Sequence, residues 1–113
     1  MGFELAHIGI NTESAVEAAK AAKMLELMFG FAPRETPVSI FAGDQIEVMR
    51  PPHFGTHGHV GIFTVDVVRA QAFLEGQGFE FNPESLRTNP EGVPVFIYFK
   101  DELAGFAMHL LQK

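Results

Sequence analysis

Four side chains in this chain, His7, Glu47, His59 and His109, are of types that hold divalent metal ions, and they come in echoed pairs. "HIGINTES" (7–14) is matched further on by "HVGIFTVD" (59–66), and "GDQIEVM" (43–49) by "GFAMHLL" (105–111). A third pair, "MFGFAP" (28–33) and "GQGFEF" (76–81), lies between them in the same order. Short matches kept in order along both halves point to a duplicated unit. Three imidazoles and one carboxylate suit zinc, nickel, cobalt, manganese or iron as divalent ions and do not choose among them. With no cysteine in the chain, disulfides and thiolate sites are excluded.

The elements that must present these groups follow from alternation and capping. The first module is taken as residues 3–49, the linker as 50–57 and the second module as 58–111, within a single domain. Each module reads as strand, helix and three strands. In the stretch 3–10, Leu5, His7 and Gly9 fall on one face and Ala6, Ile8 and Ile10 on the other. His59, Gly61 and Phe63 likewise face away from Val60, Ile62 and Thr64. "SAVE" offers a capping box, Ser14 with Glu17, for a helix whose stripe is Ala15, Ala18, Ala22, Leu25 and Phe29 and which Gly30 ends. Asp66 caps the second helix, and Gly76 and Gly78 stop it. Strands are expected at 31–35, 38–42 and 44–49, and at 79–82, 93–100 and 105–111, with 82–92 as a turn-rich loop. In the last strand of each module, Glu47 and His109 share a face with Gln45 and Met49, and with Ala107 and Leu111. The opposite faces are aliphatic and should lie under the helices. His7, Glu47, His59 and His109 then meet on the uncovered concave face, where buried polar groups require partners. Shared coordination fails if they stand more than about 6 Å apart.

Length and composition agree with one α+β domain. The chain has 113 residues, 47% of them hydrophobic and 19% charged, with 12 phenylalanines, one tyrosine and no tryptophan. A net charge of −6 argues against a nucleic-acid partner. No apolar run approaches a membrane span, and the first residues lack a signal-peptide pattern, so no membrane partner and a cytoplasmic location are expected.

The duplicated βαβββ units, the "HIGI" and "HVGI" openings, the "FGF" after the first helix and the "IEVM" and "MHLL" endings resemble the vicinal oxygen chelate superfamily. That group includes glyoxalase I, fosfomycin-resistance and bleomycin-resistance proteins, methylmalonyl-CoA epimerase and extradiol dioxygenases. The resemblance covers nearly the whole chain and implies two tandem βαβββ modules forming a curved, cup-like mixed sheet with helices outside. It implies metal ligands at His7, Glu47, His59 and His109, and a small-molecule substrate. A metal-dependent isomerase or lyase reaction on a small 2-oxo or 2-hydroxy compound follows, its two oxygens on the metal and an enediolate-like charge stabilised there. In the enzymes the last-strand position of the second module is usually glutamate. With His109 there, Glu47 is the remaining candidate base. The resemblance also admits a metal-free, bleomycin-resistance-like binding protein, and more loosely a protein associated with ketohydroxyglutarate and ketodeoxyphosphogluconate aldolases. A Schiff-base mechanism fits poorly, because Lys20 and Lys23 fall on a helix, Lys113 is terminal and only Lys100 ends a strand.

Other residues carry plainer expectations. His53, between Pro and Gly in the linker, should be solvated, and His57 should lie exposed at the mouth. Phe41, Phe63, Phe96 and Phe99 serve a pocket or the core. Arg50 and Arg87 are candidates for an anionic substrate group or ordinary surface charges. The modules close a cup within one chain or by exchange between two, and a C2 homodimer is expected.

Overall fold

The computed structural model describes residues 1–113. Strands β1 (Glu4–Asn11), β2 (Pro33–Glu35), β3 (Ser39–Ala42) and β4 (Ile46–Met49) form the first module with helix α1 (Ala15–Phe29). Strands β5 (Gly58–Thr64), β6 (Arg87–Thr88), β7 (Pro94–Tyr98) and β8 (Phe106–Gln112) form the second with helix α2 (Val67–Gly76). All eight strands join one sheet in the order β2-β3-β4-β1-β5-β8-β7-β6. The two modules therefore close on each other within one chain. Their seam is the antiparallel pairing of β1 with β5, while β1 with β4 and β5 with β8 are parallel.

The caps behave as their residues dictate. Ser14 Oγ accepts from the Glu17 amide at 3.1 Å, and Asp66 accepts from the Arg69 amide at 3.1 Å. Gly30 closes α1 in the left-handed conformation, φ 74°, which a glycine adopts without steric cost. Of the expected α1 stripe only Ala18 and Ala22 are buried, with Leu25 half-buried. Ala15 is exposed and Phe29 is 62% exposed, because α1 lies on β3 and β4 near its middle and leaves both ends off the sheet. Under α2, Val67, Ala70, Phe81, Ile97 and Leu110 form a core cluster with Leu74 and Phe99 packed against it.

The second module departs from the expected strand pattern between α2 and β7. Residues 79–82 make a single bridge, Phe81 to Phe99, rather than a strand. The outer strand β6 instead arises inside the stretch expected as loop, after a 3-10 turn at Pro83–Ser85 that Asn82 caps. One local and one tertiary bond hold it: Ser85 Oγ donates to the Asn82 carbonyl at 2.7 Å and accepts from the Tyr98 amide at 2.8 Å. No helix is long and apolar enough to cross a membrane.

Candidate metal centre

The strand register brings the four expected residues into two rows that cross the seam. On β4, β1 and β5, Glu47, Gly9 and His59 are direct neighbours. On β1, β5 and β8, His7, Gly61 and His109 are direct neighbours. In each row a glycine separates two candidate ligands. Neither glycine has a positive φ, so the backbone does not demand glycine there. Space does: a Cβ on Gly61 would stand 2.8 Å from the rings of both His109 and His7, and one on Gly9 would overlap the His59 ring. The glycine of each "HxG" opening is thus the floor over which the rings lean together.

The converging atoms are close. His7 Nε2 lies 3.1 Å from His59 Nε2 and 3.3 Å from His109 Nε2, and Glu47 Oε1 lies 3.1 Å from His59 Nε2 and 3.6 Å from His7 Nε2. The ligand atoms of the three histidines all fall within 4.8 Å of one another. Glu47 joins them through its contacts with His59 and His7. Tetrahedral ligands about 2.0–2.1 Å from a zinc-like ion stand roughly 3.3–3.4 Å from one another, which the shorter of these separations approximate. Two imidazole nitrogens facing each other at this distance can share at most one proton. Repeated around three rings, that arrangement suits a cation at the centre better than hydrogen bonding alone.

Protonation states also fit coordination. Burial, together with His7 and His59, lowers His109 to about 3, and burial lowers His7 despite the opposing pull of Glu47. Burial opposes the ionised form of Glu47, but hydrogen bonds from His59 and Ser39 outweigh it and hold the carboxyl at about 2. At neutral pH His7 and His109 are thus neutral and Glu47 ionised, so binding an ion displaces no proton from them. His109 Nδ1 faces the Leu110 carbonyl at 3.4 Å, a group that only accepts, which leaves Nε2 bare toward the centre. His59 Nδ1 is buried without a partner, so Nε2 is the nitrogen that this ring presents. Behind Glu47, Ser39 Oγ donates to Oε2 at 2.7 Å and is itself 2.7 Å from Thr36 Oγ1.

In the metal-free protein these shifts set an acid limit. The His109 pKa is depressed below its unfolded value, so between about pH 6.5 and 3 the unfolded chain binds more protons and stability falls as pH falls. Glu47 adds a loss as pH drops from about 4.5 toward 2. Urea midpoints measured at about pH 8, 6 and 4 should decline in that order. A midpoint unchanged between about pH 6 and 4 would contradict the buried neutral imidazole.

The centre lies at the base of a cleft of about 580 Å³. Phe96 stacks on His109 with ring centroids 4.3 Å apart, Tyr98 meets the same ring at 5.0 Å, and Phe41 meets His7 at 5.8 Å. Burial and the charge of Glu47 push the Tyr98 phenol up to about 12, keeping its hydroxyl protonated.

Several other expectations change. His53 is not solvated: it is half-buried in the cleft wall, its ring 5.1 Å from that of His59. The linker folds back because Asn11 Nδ2 donates to the carbonyls of Phe54 and Gly55, which holds the loop over the seam. Phe54, also unforeseen, lines the cleft and meets Tyr98 at 4.7 Å. Phe63 and Phe99 do not line it; Phe99 packs against Phe81 in the α2 core, 4.4 Å between centroids. His57 is exposed as expected. Arg50 lies outside the cleft, bound to Glu35 at 2.6 Å and to the carbonyls of Thr36 and Ser39, whereas Arg87 lines it.

No family model matches the chain, and no curated protein matches it. Solved structures do match in fold. A variant of Streptomyces coelicolor methylmalonyl-CoA epimerase, in complex with 2-nitronate-propionyl-CoA, is 16% identical, with 96% of each chain covered and a TM-score of 0.68. A methylmalonyl-CoA epimerase in complex with methylmalonyl-CoA and NH4+ is 17% identical over 96% of this chain and 93% of that one, TM-score 0.67. A hypothetical protein from Bacillus halodurans C-125 is 15% identical over 100% and 96%, TM-score 0.67. At these identities the likeness shows the vicinal oxygen chelate fold and its curved sheet.

Proposed function

We propose that this vicinal oxygen chelate fold carries a metal-dependent isomerase or lyase acting on a small 2-oxo or 2-hydroxy compound, with His7, Glu47, His59 and His109 as the metal ligands. The carrying observation is the convergence of three histidine nitrogens within 4.8 Å of one another, with Glu47 Oε1 3.1 Å from His59 and 3.6 Å from His7, over two glycines that leave room for them. A divalent ion held there supplies Lewis-acid polarisation of a substrate carbonyl and a counter-charge for developing negative charge.

The protein's own groups divide the remaining work. Both Glu47 oxygens are engaged, Oε1 by the histidines and Oε2 by Ser39, and its low proton affinity makes it a poor base at neutral pH. Its role in this reading is to hold the ion. Proton transfer, expected of Glu47 from the sequence, passes to His53. That ring stands in the cleft wall beside His59 and makes no protein hydrogen bond, so a ring nitrogen is available to substrate. Phe96, Tyr98, Phe54 and Phe41 exclude water from the reacting carbon, and the Tyr98 hydroxyl remains a donor.

A C2 homodimer is part of the same proposal. The helices cover the outer strands, leaving Ile8 and Ile10 of β1 38% and 42% exposed on the convex face at the seam, where a second copy would bury them.

The test is metal content by mass spectrometry on untagged protein purified without chelator, with light scattering on the same sample. About one divalent transition-metal ion per chain and twice the 12.5 kDa chain mass are expected. Failure to retain zinc, nickel, cobalt, manganese or iron after loading would overturn the metal reading. A monomeric mass would overturn the dimer.

A further inference from the structure

The walls of the cleft are asymmetric in charge. Among its lining residues Arg87 is the single lysine or arginine, set against the carboxylates of Glu47 and Glu84. Glu47 is committed to the histidines and Ser39, and Glu84 forms no ion pair with Arg87. The Arg87 guanidinium makes no protein hydrogen bond or ion pair at all, in contrast to Arg50, whose nitrogens are occupied by Glu35 and two carbonyls. Arg87 is an exposed residue of the cleft wall, so its guanidinium presents five donors with no protein acceptor and is open to an incoming anion.

Its placement is fixed by the sheet. Arg87 on β6 is the direct partner of Phe96 on β7, and Phe96 both pairs with Leu111 of β8 and stacks on His109. Alternation therefore puts Arg87 on the concave face, over the same aromatic floor as the ligand group. The charge of Arg87 is felt at the Tyr98 phenol, whose residue pairs with His109 on β8. Asn82, also in the wall, uses its Oδ1 on the Glu84 amide and leaves its amide nitrogen without a protein partner.

We infer that Arg87, with the side-chain amide of Asn82 in the lining of the same cleft, receives a distal carboxylate, so that the substrate is a 2-oxo or 2-hydroxy diacid rather than a monoacid. The inference rests on the proposed metal site, which takes the other end of the same molecule. One strand separates β6 from β8, about 9–10 Å centre to centre, so a short apolar carbon chain between the two ends would lie along Phe96 and Tyr98. Arginine suits this task because its planar fork matches a carboxylate in two-point fashion.

The test compares 2-oxoglutarate with 2-oxopentanoate, which have equal chain length and differ in the distal carboxylate. Calorimetry on metal-loaded protein should show the diacid binding about 10- to 100-fold tighter, the range of a charge-assisted hydrogen bond. Arg87→Ala should remove that preference and Arg87→Lys should retain part of it, while metal affinity, read by competition with a chelating dye, stays unchanged in both. If the wild type shows no preference, or Arg87→Ala keeps it, the Arg87 assignment is overturned while tight metal binding leaves the metal reading standing. If no metal binds but Arg87→Ala still abolishes 2-oxoglutarate binding to the metal-free protein, the metal reading falls and the anion subsite survives.

Discussion

Gly9→Ala is expected to lower metal affinity by about a hundredfold or more and to destabilise the fold by about 1–3 kcal/mol. The backbone at Gly9 tolerates alanine, so the effect comes wholly from the added methyl group, which would overlap the His59 ring. His59 is 2% exposed, and the added methyl group would stand 2.0 Å from its ring, so the ring must swing out toward the cleft. Forcing it aside separates its Nε2 from Glu47 and His7 together. Gly61→Ala acts on the other row, where the methyl group meets the ends of two rings at 2.8 Å. The approach is less severe than the 2.0 Å at Gly9, and of the two rings the half-buried His7 can yield although His109 is buried, so the cost should be smaller. Gly76→Ala is the control, because the added methyl group meets nothing on that helix. Chelator competition and urea unfolding on the three variants check the order. Equal metal affinity in all three would mean that the rings do not converge on an ion.

His53→Gln should leave metal content unchanged and lower turnover by about 10²–10⁴-fold, the usual contribution of a positioned acid or base. Glu47→Gln should behave differently, losing metal first and activity with it. The split separates the two roles: a ligand variant is detected by mass spectrometry, a proton-transfer variant only by kinetics at full metal occupancy. Ser39→Ala falls between them, because without its hydroxyl the carboxylate loses its 2.7 Å anchor; a 10- to 100-fold fall in metal affinity is expected. Should His53→Gln at full occupancy retain wild-type turnover, the proton must be moved by another group.

Local pattern made much of this architecture legible. Alternation placed His7 with Gly9, and Glu47 with Met49, because side-chain direction in a regular strand has a period of two; Leu5, expected on the same face, lies beyond an irregularity in the β1–β5 register. Ser14, Gly30 and Asp66 marked helix ends through bonds made within four residues. The features that escaped are set by distant contacts. His53 enters the cleft because Asn11, more than forty positions earlier, ties down the linker backbone. Strand β6 forms in a Pro- and Asn-rich stretch because β7 offers it an edge and Ser85 pins the turn to Tyr98. The same holds for Phe99, which follows Phe81 into the α2 core, and for Arg50 and Arg87, alike in type and unlike in partners. The repeat itself could not say whether the modules pair in one chain, since either arrangement satisfies the same alternation; the β1–β5 register decides it.

The two rows of ligands also bear on how the molecule opens. Each module contributes two of the four candidate groups, so an ion at the centre would work as a reversible crosslink between halves of the chain. Whatever free energy it gains on binding is lent to the adhesion of β1 to β5, and by linkage the halves cannot part without releasing it. Seam opening would then keep the clock of metal release. The amides of β1 and β5 report that clock: their hydrogen exchange should slow with metal loading, while those of the outer strands β2 and β6 keep their own pace.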